Sequence, residues 1–135
     1  GLSGCSLTDE KGMEKTVWGT DEVCRLRVEY ESEIITEPVS MGFQIKNGFG
    51  SVVFGTNSNW LGESLRFANG RLCCTFEFPI YMGEGSYTVT LAVSENKRQP
   101  TVVYAWTEKA LAFEVISSRP GQFGGSVFLP VKIRI

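Results

Sequence analysis

The stretch Met41-Gly42-Phe43-Gln44-Ile45-Lys46, running into Asn47-Gly48-Phe49-Gly50, decides the fold of this chain. Met41, Phe43 and Ile45 alternate with Gly42, Gln44 and Lys46, and a period of two puts the first set on one face of a strand and the second on the other. The Asn-Gly pair that follows tolerates the positive φ of a tight hairpin, so the chain is expected to reverse there into a second strand over Ser51 to Gly55.

The same pattern extends outward in both directions. Cys24, Leu26, Val28 and Tyr30 alternate with Arg25, Arg27 and Glu29; Leu72, Cys74, Phe76 and Phe78 alternate with Cys73, Thr75 and Glu77. Tyr87, Val89, Leu91 and Val93 repeat it, as do Leu111, Phe113 and Val115, and finally Val131, Ile133 and Ile135. Turn residues separate these runs at Asn69-Gly70, at Gly83-Glu84-Gly85 and over Ser118 to Gly125. No segment longer than two turns keeps a helical period. The pattern predicts an all-β, antiparallel β-sandwich of immunoglobulin-like or jelly-roll type, with about nine strands in one domain over residues 1–135. Pro130 interrupts the last run, Val127 to Ile135. Because proline has no N–H for a ladder, that segment is expected to be an edge strand or to contain a bulge, either closing its own sheet or pairing with a second copy.

Composition narrows the function. The 135 residues carry 13 Lys+Arg against 15 Asp+Glu, for a net charge of −2 and no basic run, which disfavours nucleic acid as a partner. Histidine is absent, so Ser-His and Cys-His nucleophiles and His-ligated metals are excluded. No metal and no cofactor is expected. Lys15-Thr16 lacks the glycine loop of a phosphate-binding motif. The longest apolar run, Val102 to Trp106, is far short of a membrane span, and the N-terminus has no signal-peptide pattern. Gly1 as first residue points to a longer parent protein.

Cys5, Cys24, Cys73 and Cys74 contain no C-x-x-C, and four reduced thiols are expected. The alternative is an immunoglobulin-type Cys24–Cys74 bridge, since both sit on apolar strand faces. Among carboxylates, Glu29, Glu77, Glu84 and Glu114 are the candidates for a glycosidase pair, but solvated strand faces ordinarily carry such residues.

Aromatic residues carry more information. Phe43, Phe54, Phe76, Phe78 and Phe113 fall on apolar registers and are assigned to the core. Trp60, in the polar loop Thr56 to Gly62, and Tyr81, after Pro79, do not follow that register. A loop aromatic more often packs as a lid than serves as a ligand platform. Sugars, however, are held by a ring stacked on their C–H face with amides and charged groups on the hydroxyls. Trp60, Tyr81, Tyr104 and Trp106, with Arg66, Arg119 and Gln122, supply both parts. Tyr104 and Trp106 share a strand face, and core packing is expected for at least one of them.

The run from Met41 to Gly50, the following Val53-Phe54-Gly55-Thr56-Asn57-Ser58, Gly85-Ser86-Tyr87, the run from Tyr104-Ala105-Trp106 to Val115, and Gly125-Ser126-Val127-Phe128 together resemble the C-terminal domain of Wzt-type ATP-binding subunits of O-antigen ABC transporters. The resemblance spans about Cys5 to Val131. It implies a β-sandwich fused after a nucleotide-binding domain that lies outside this sequence, and through that domain contact with the transporter's transmembrane subunit. It implies a cytoplasmic setting beside the inner membrane and a homodimer, in some cases formed by exchange of the C-terminal strand. It also implies recognition of O-antigen polysaccharide, through terminal sugars or cap, in a pocket on a concave sheet face. On this reading the domain is a non-catalytic carbohydrate-binding module. The alternatives are a structural immunoglobulin-like adhesion module, extracellular and disulfide-bridged, and a glycan-active enzyme.

Overall fold

The computed structural model describes residues 1–116 and 123–135. Eight strands make up the described fold: β1 (Leu2–Thr8), β2 (Val17–Gly19), β3 (Val23–Glu31), β4 (Val39–Asn47), β5 (Val52–Asn57), β6 (Arg71–Pro79), β7 (Gly85–Glu95) and β8 (Val103–Ile116). They form two sheets, one in the order β1-β3-β6 and the other in the order β2-β8-β7-β4-β5. All pairings are antiparallel except the three-residue β2, which runs parallel to β8.

Alternation places the core where the sequence pattern puts it. Cys24, Leu26, Val28 and Tyr30 of β3 are buried against Met41, Phe43 and Ile45 of β4 and Val89, Leu91 and Val93 of β7. Phe43 lies at the crossing of the layers, with ring centroids 4.9 Å from Phe76 and 5.4 Å from Phe78. Trp18 of β2 is fully buried, with the Lys15 ammonium 4.5 Å from the ring centroid. Burying such a side chain contributes about 1.5–3 kcal/mol each, which is why a 3-over-5 sandwich suffices to hold the chain.

Both predicted turns form, by different means. Asn69 and Gly70 take φ of 53° and 76°, and Ala68 and Arg71 exchange backbone hydrogen bonds around them. At the β4–β5 turn the positive φ falls instead on Gly50, at 81°, and Asn47 uses its side chain: Oδ1 accepts the N–H groups of Phe49 and Ser51, both at 3.0 Å. That Asx turn leaves Phe49 at the tip, 96% exposed.

The all-β antiparallel sandwich expected from the alternation is the fold observed, with eight strands among the described residues where about nine were expected. Several other expectations need correction. The segment from Val127 onward forms one bridge, to Met82, and Phe128 N–H donates to the Tyr81 carbonyl at 3.0 Å. Residues 129–135 join no ladder among the described residues, and Pro130 cannot donate to one. Strands β1 and β2 lack strong alternation and were not expected. Phe54, assigned to the core, is 51% exposed. It lies on the inner face, opposite Ile45 and 6.0 Å from Phe43, but the three-stranded sheet ends at β6 and leaves the inner face of β5 uncovered. The conceivable Cys24–Cys74 bridge is ruled out by register. Both residues lie in one sheet, Cys24 opposite Phe78 and Cys74 opposite Val28, so they stand four positions apart along the ladder. That is about 13 Å at ~3.3 Å per residue, beyond the ~7 Å Cα limit of a disulfide. All four cysteines are free thiols.

Candidate functional site

The outer face of the five-stranded sheet carries the polar half of each alternation. Its rows follow from the register: Trp106 lies opposite Ala92, Ala92 opposite Gly42 and Gly42 opposite Asn57, while the next row pairs Thr90 with Gln44 and Gln44 with Gly55. Small residues thus occupy the middle of the sheet and large ones its rim. The result is a hollow of about 370 Å³ with Gly42, Gly55, Ala92, Ser94 and Gln44 in its floor and Trp60, Trp106, Val52, Val103 and Pro100 around it. Its size is near the lower end of ligand pockets, which run from roughly 300 to 1,000 Å³.

Trp60 is held in place by its surroundings although the residue is 60% exposed. Its backbone N–H donates to Asn57 Oδ1 at 2.9 Å, and its indole Nε1 donates to the Arg98 carbonyl at 3.0 Å. Asn57 also accepts from Ser40 Oγ at 3.2 Å, and Asn59 donates to Asn96 at 2.9 Å, so the loop after β5 is tied to the loop after β7. With its polar edge already bonded, the ring has only its apolar faces left to offer. The β7–β8 loop is itself closed by Glu95, whose carboxylate accepts Thr101 N–H at 2.7 Å, Thr101 Oγ1 at 3.0 Å and Val102 N–H at 3.3 Å. These bonds, the Thr101 N–H first, hold the Glu95 carboxyl below its ordinary range.

A second, larger hollow of about 770 Å³ continues along the same face toward the β4–β5 turn. It is lined by Lys46, Asn47, Phe49, Glu108, Lys109 and Glu114 among others. Between the two hollows Glu108 Oε1 accepts from Trp106 Nε1 at 3.4 Å and pairs with Lys46 Nζ at 3.5 Å. Thr90 borders both, and its buried Oγ1 has no hydrogen-bond partner among the described residues.

Of the residues singled out from sequence, the fold brings Trp60 and Trp106 to one hollow from opposite ends of the sheet. The expectation that Tyr104 or Trp106 packs in the core fails: they are 37% and 52% exposed. Tyr104 sits where the β7–β8 register shifts and lines neither hollow. Tyr81 also lies outside both, edge-on to Phe128 with centroids 5.6 Å apart. Arg66 donates to the Thr36 carbonyl at 3.1 Å, again away from the hollows. Arg119 and Gln122 lie outside the described residues. Sequence reasoning missed Gln44, Asn57 and Pro100. The first two carry a readable signal, as polar residues on the solvent register of paired strands; Pro100 carries none. Among the described residues no cluster of His, Cys, Asp and Glu could hold a metal ion.

The carboxylates weighed as a glycosidase pair do not gather. Glu29 and Glu77 project from the three-stranded sheet and are ion-paired, Glu29 with Arg71 and Arg27, Glu77 with Arg25 at 2.8 Å. Glu114 alone of the four lines a hollow of the other sheet.

Comparison with known proteins agrees with this architecture. A crystal structure of the C-terminal domain of wzt superposes with a TM-score of 0.84 over 100% of this chain and 83% of that one, at 16% sequence identity. No curated protein matches the sequence. The family model described as Wzt C-terminal domain matches residues 2–129, nearly the whole chain, and the protein therefore belongs to the Wzt C-terminal domain family.

Proposed function

We propose that the outer face of the five-stranded sheet binds the terminal sugars or cap of an O-antigen polysaccharide and presents that glycan to an ABC transporter. The observation that carries the reading is the pair Trp60 and Trp106 on one hollow, over a floor of small residues and amides. Two exposed indoles supply stacking surface, while Gln44, Asn57 and Ser94 supply the directional bonds that sugar hydroxyls need. The mechanism is binding alone, with no bond made or broken. As a piece of the transporter's ATP-binding subunit, the domain works on the cytoplasmic side of the inner membrane, tethered there through the nucleotide-binding domain and its transmembrane partner.

Titration of the domain with cognate and non-cognate O-antigen glycan tests this. Cognate glycan is expected to bind and to lose at least tenfold in affinity on Trp60→Ala or Trp106→Ala. Equal binding of both glycans, or none of either, overturns the reading.

We further propose that two copies associate by exchanging the segment from Val127 to Ile135. Leu129, Val131, Ile133 and Ile135 are all more than 65% exposed and retain the alternation of a strand without a ladder. Among the described residues β6 is an edge strand, and a strand added to it would cover the inner face of β5, where Phe54 is exposed. Light scattering is expected to give a dimer for the full chain and a monomer for a chain ending at Phe128. A monomeric full chain at micromolar concentration refutes the exchange. Dimerisation would raise a weak monovalent affinity by avidity.

A further inference from the structure

We infer that the hollow between Trp60 and Trp106 selects an uncharged sugar residue and rejects an acidic one; this rests on the glycan-binding reading above. None of the residues lining it is charged. Its walls are Val52, Val103, Pro100 and the two indoles, and its polar groups are amides and hydroxyls. Lys46 and Glu108 belong to the neighbouring hollow and are 3.5 Å from each other, and Glu95 at the end of β7 and Arg98 in the β7–β8 loop sit outside the lining.

A uronic acid seated between the indoles would bring its carboxylate out of water onto apolar walls, with no cation among the lining residues to meet it. An unpaired charge pays a far larger desolvation penalty than a hydroxyl that finds an amide. A neutral pyranose loses nothing comparable. Its C–H face lies on an indole, and its hydroxyls reach Gln44, Asn57 or Ser94. A methyl substituent, as in a 6-deoxyhexose, adds apolar area against Val52 or Val103 and should be favoured further. The second hollow holds Lys46 and Lys109 with Glu108 and Glu114, two charges of each sign, so any acidic residue of the chain would have to lie there.

The test uses the full chain and polyvalent albumin conjugates of methyl-rhamnoside-type, mannoside and glucuronide sugars, with multivalency compensating for weak single-site binding. The quantity read is the affinity lost in the Trp60→Ala/Trp106→Ala double variant, which isolates this hollow from its neighbour. The neutral conjugates are expected to lose at least tenfold, with no dependence on ionic strength, and the glucuronide less than twofold. Gln44→Lys, which puts a cation on the floor, should raise glucuronide affinity at least fivefold. A glucuronide that binds the unmodified chain as tightly as the neutral sugars, and loses as much on removal of the tryptophans, overturns the inference while leaving glycan binding intact. Failure of every conjugate to bind removes the glycan reading itself, and the inference with it.

Discussion

Replacing Gly42 by alanine should destabilise the domain by about 2 kcal/mol and spoil the hollow at the same time. A Cβ built on Gly42 would lie 2.9 Å from the Cβ of Asn57 and 3.0 Å from the Thr56 carbonyl oxygen. Both obstacles are fixed to the backbone of β5, so no side-chain rotation relieves them and the β4–β5 spacing must open. Forcing one extra carbon into a packed site costs typically ~1–3 kcal/mol. At ~2.1 cal/mol/K per residue, unfolding of a chain this size carries an entropy near 0.28 kcal/mol/K, so ~2 kcal/mol corresponds to a fall of about 7 °C in Tm. Gly55→Ala is the control on the same face: its Cβ would meet the Gln44 Cγ at 3.3 Å, a side chain able to shift, and the Phe43 carbonyl oxygen at 3.6 Å, an ordinary contact, and it should cost less than ~1 kcal/mol. Gly4→Ala meets nothing within 4 Å and should be neutral or slightly stabilising. Calorimetry of the three variants gives the ranking directly. A Gly42→Ala domain that melts within 2 °C of the parent would refute the claim that the β4–β5 backbone contact sets the floor of the hollow.

Three further outcomes follow from the same geometry. Asn57→Ala removes the acceptor for Trp60 N–H and Ser40 Oγ; it should cost about 1 kcal/mol in urea unfolding and weaken glycan binding more than a stability loss alone predicts, with a red-shifted Trp60 emission marking the released ring. Glu95 has its folded pKa depressed below the ordinary 4.5, so its hold on the β7–β8 loop is complete above that value and is lost as pH falls through the lower folded one; the protection of the Thr101 and Val102 amides against exchange, relative to an unstructured peptide at the same pH, should fall in that acid range, and Glu95→Gln should show the loss already at pH 7. Cys24 is buried with its thiol pushed up to about 12, and Cys73 is exposed on the opposite face of its strand. A thiol reagent at pH 8 should therefore modify Cys73 first, reach Cys24 only on unfolding, and count four thiols in total without reductant; a count of two would restore the disulfide-bridged module.

Much of this protein is legible from period and punctuation. The alternation of β3, β4, β6 and β7 identifies which residues face inward, because a pleated strand in contact with one other layer has only one dry side. Asn69-Gly70 marks its turn, because few residues take positive φ without strain. The absence of histidine closes whole classes of chemistry before any fold is known. What alternation cannot carry is the width of the opposing layer. Phe54 keeps a core register and is half exposed, because whether an inward face is buried depends on a strand that must come from elsewhere. Trp60 and Trp106 are 46 residues apart in sequence, and nothing local brings them together; the order β8-β7-β4-β5 does. The floor between them is low because Ala92, Gly42 and Gly55 fall on adjacent rows, a coincidence of register across three strands. Register is a property of paired backbones, so the faces were determined by the sequence alone, while the hollow was decided by how the strands came to lie beside one another.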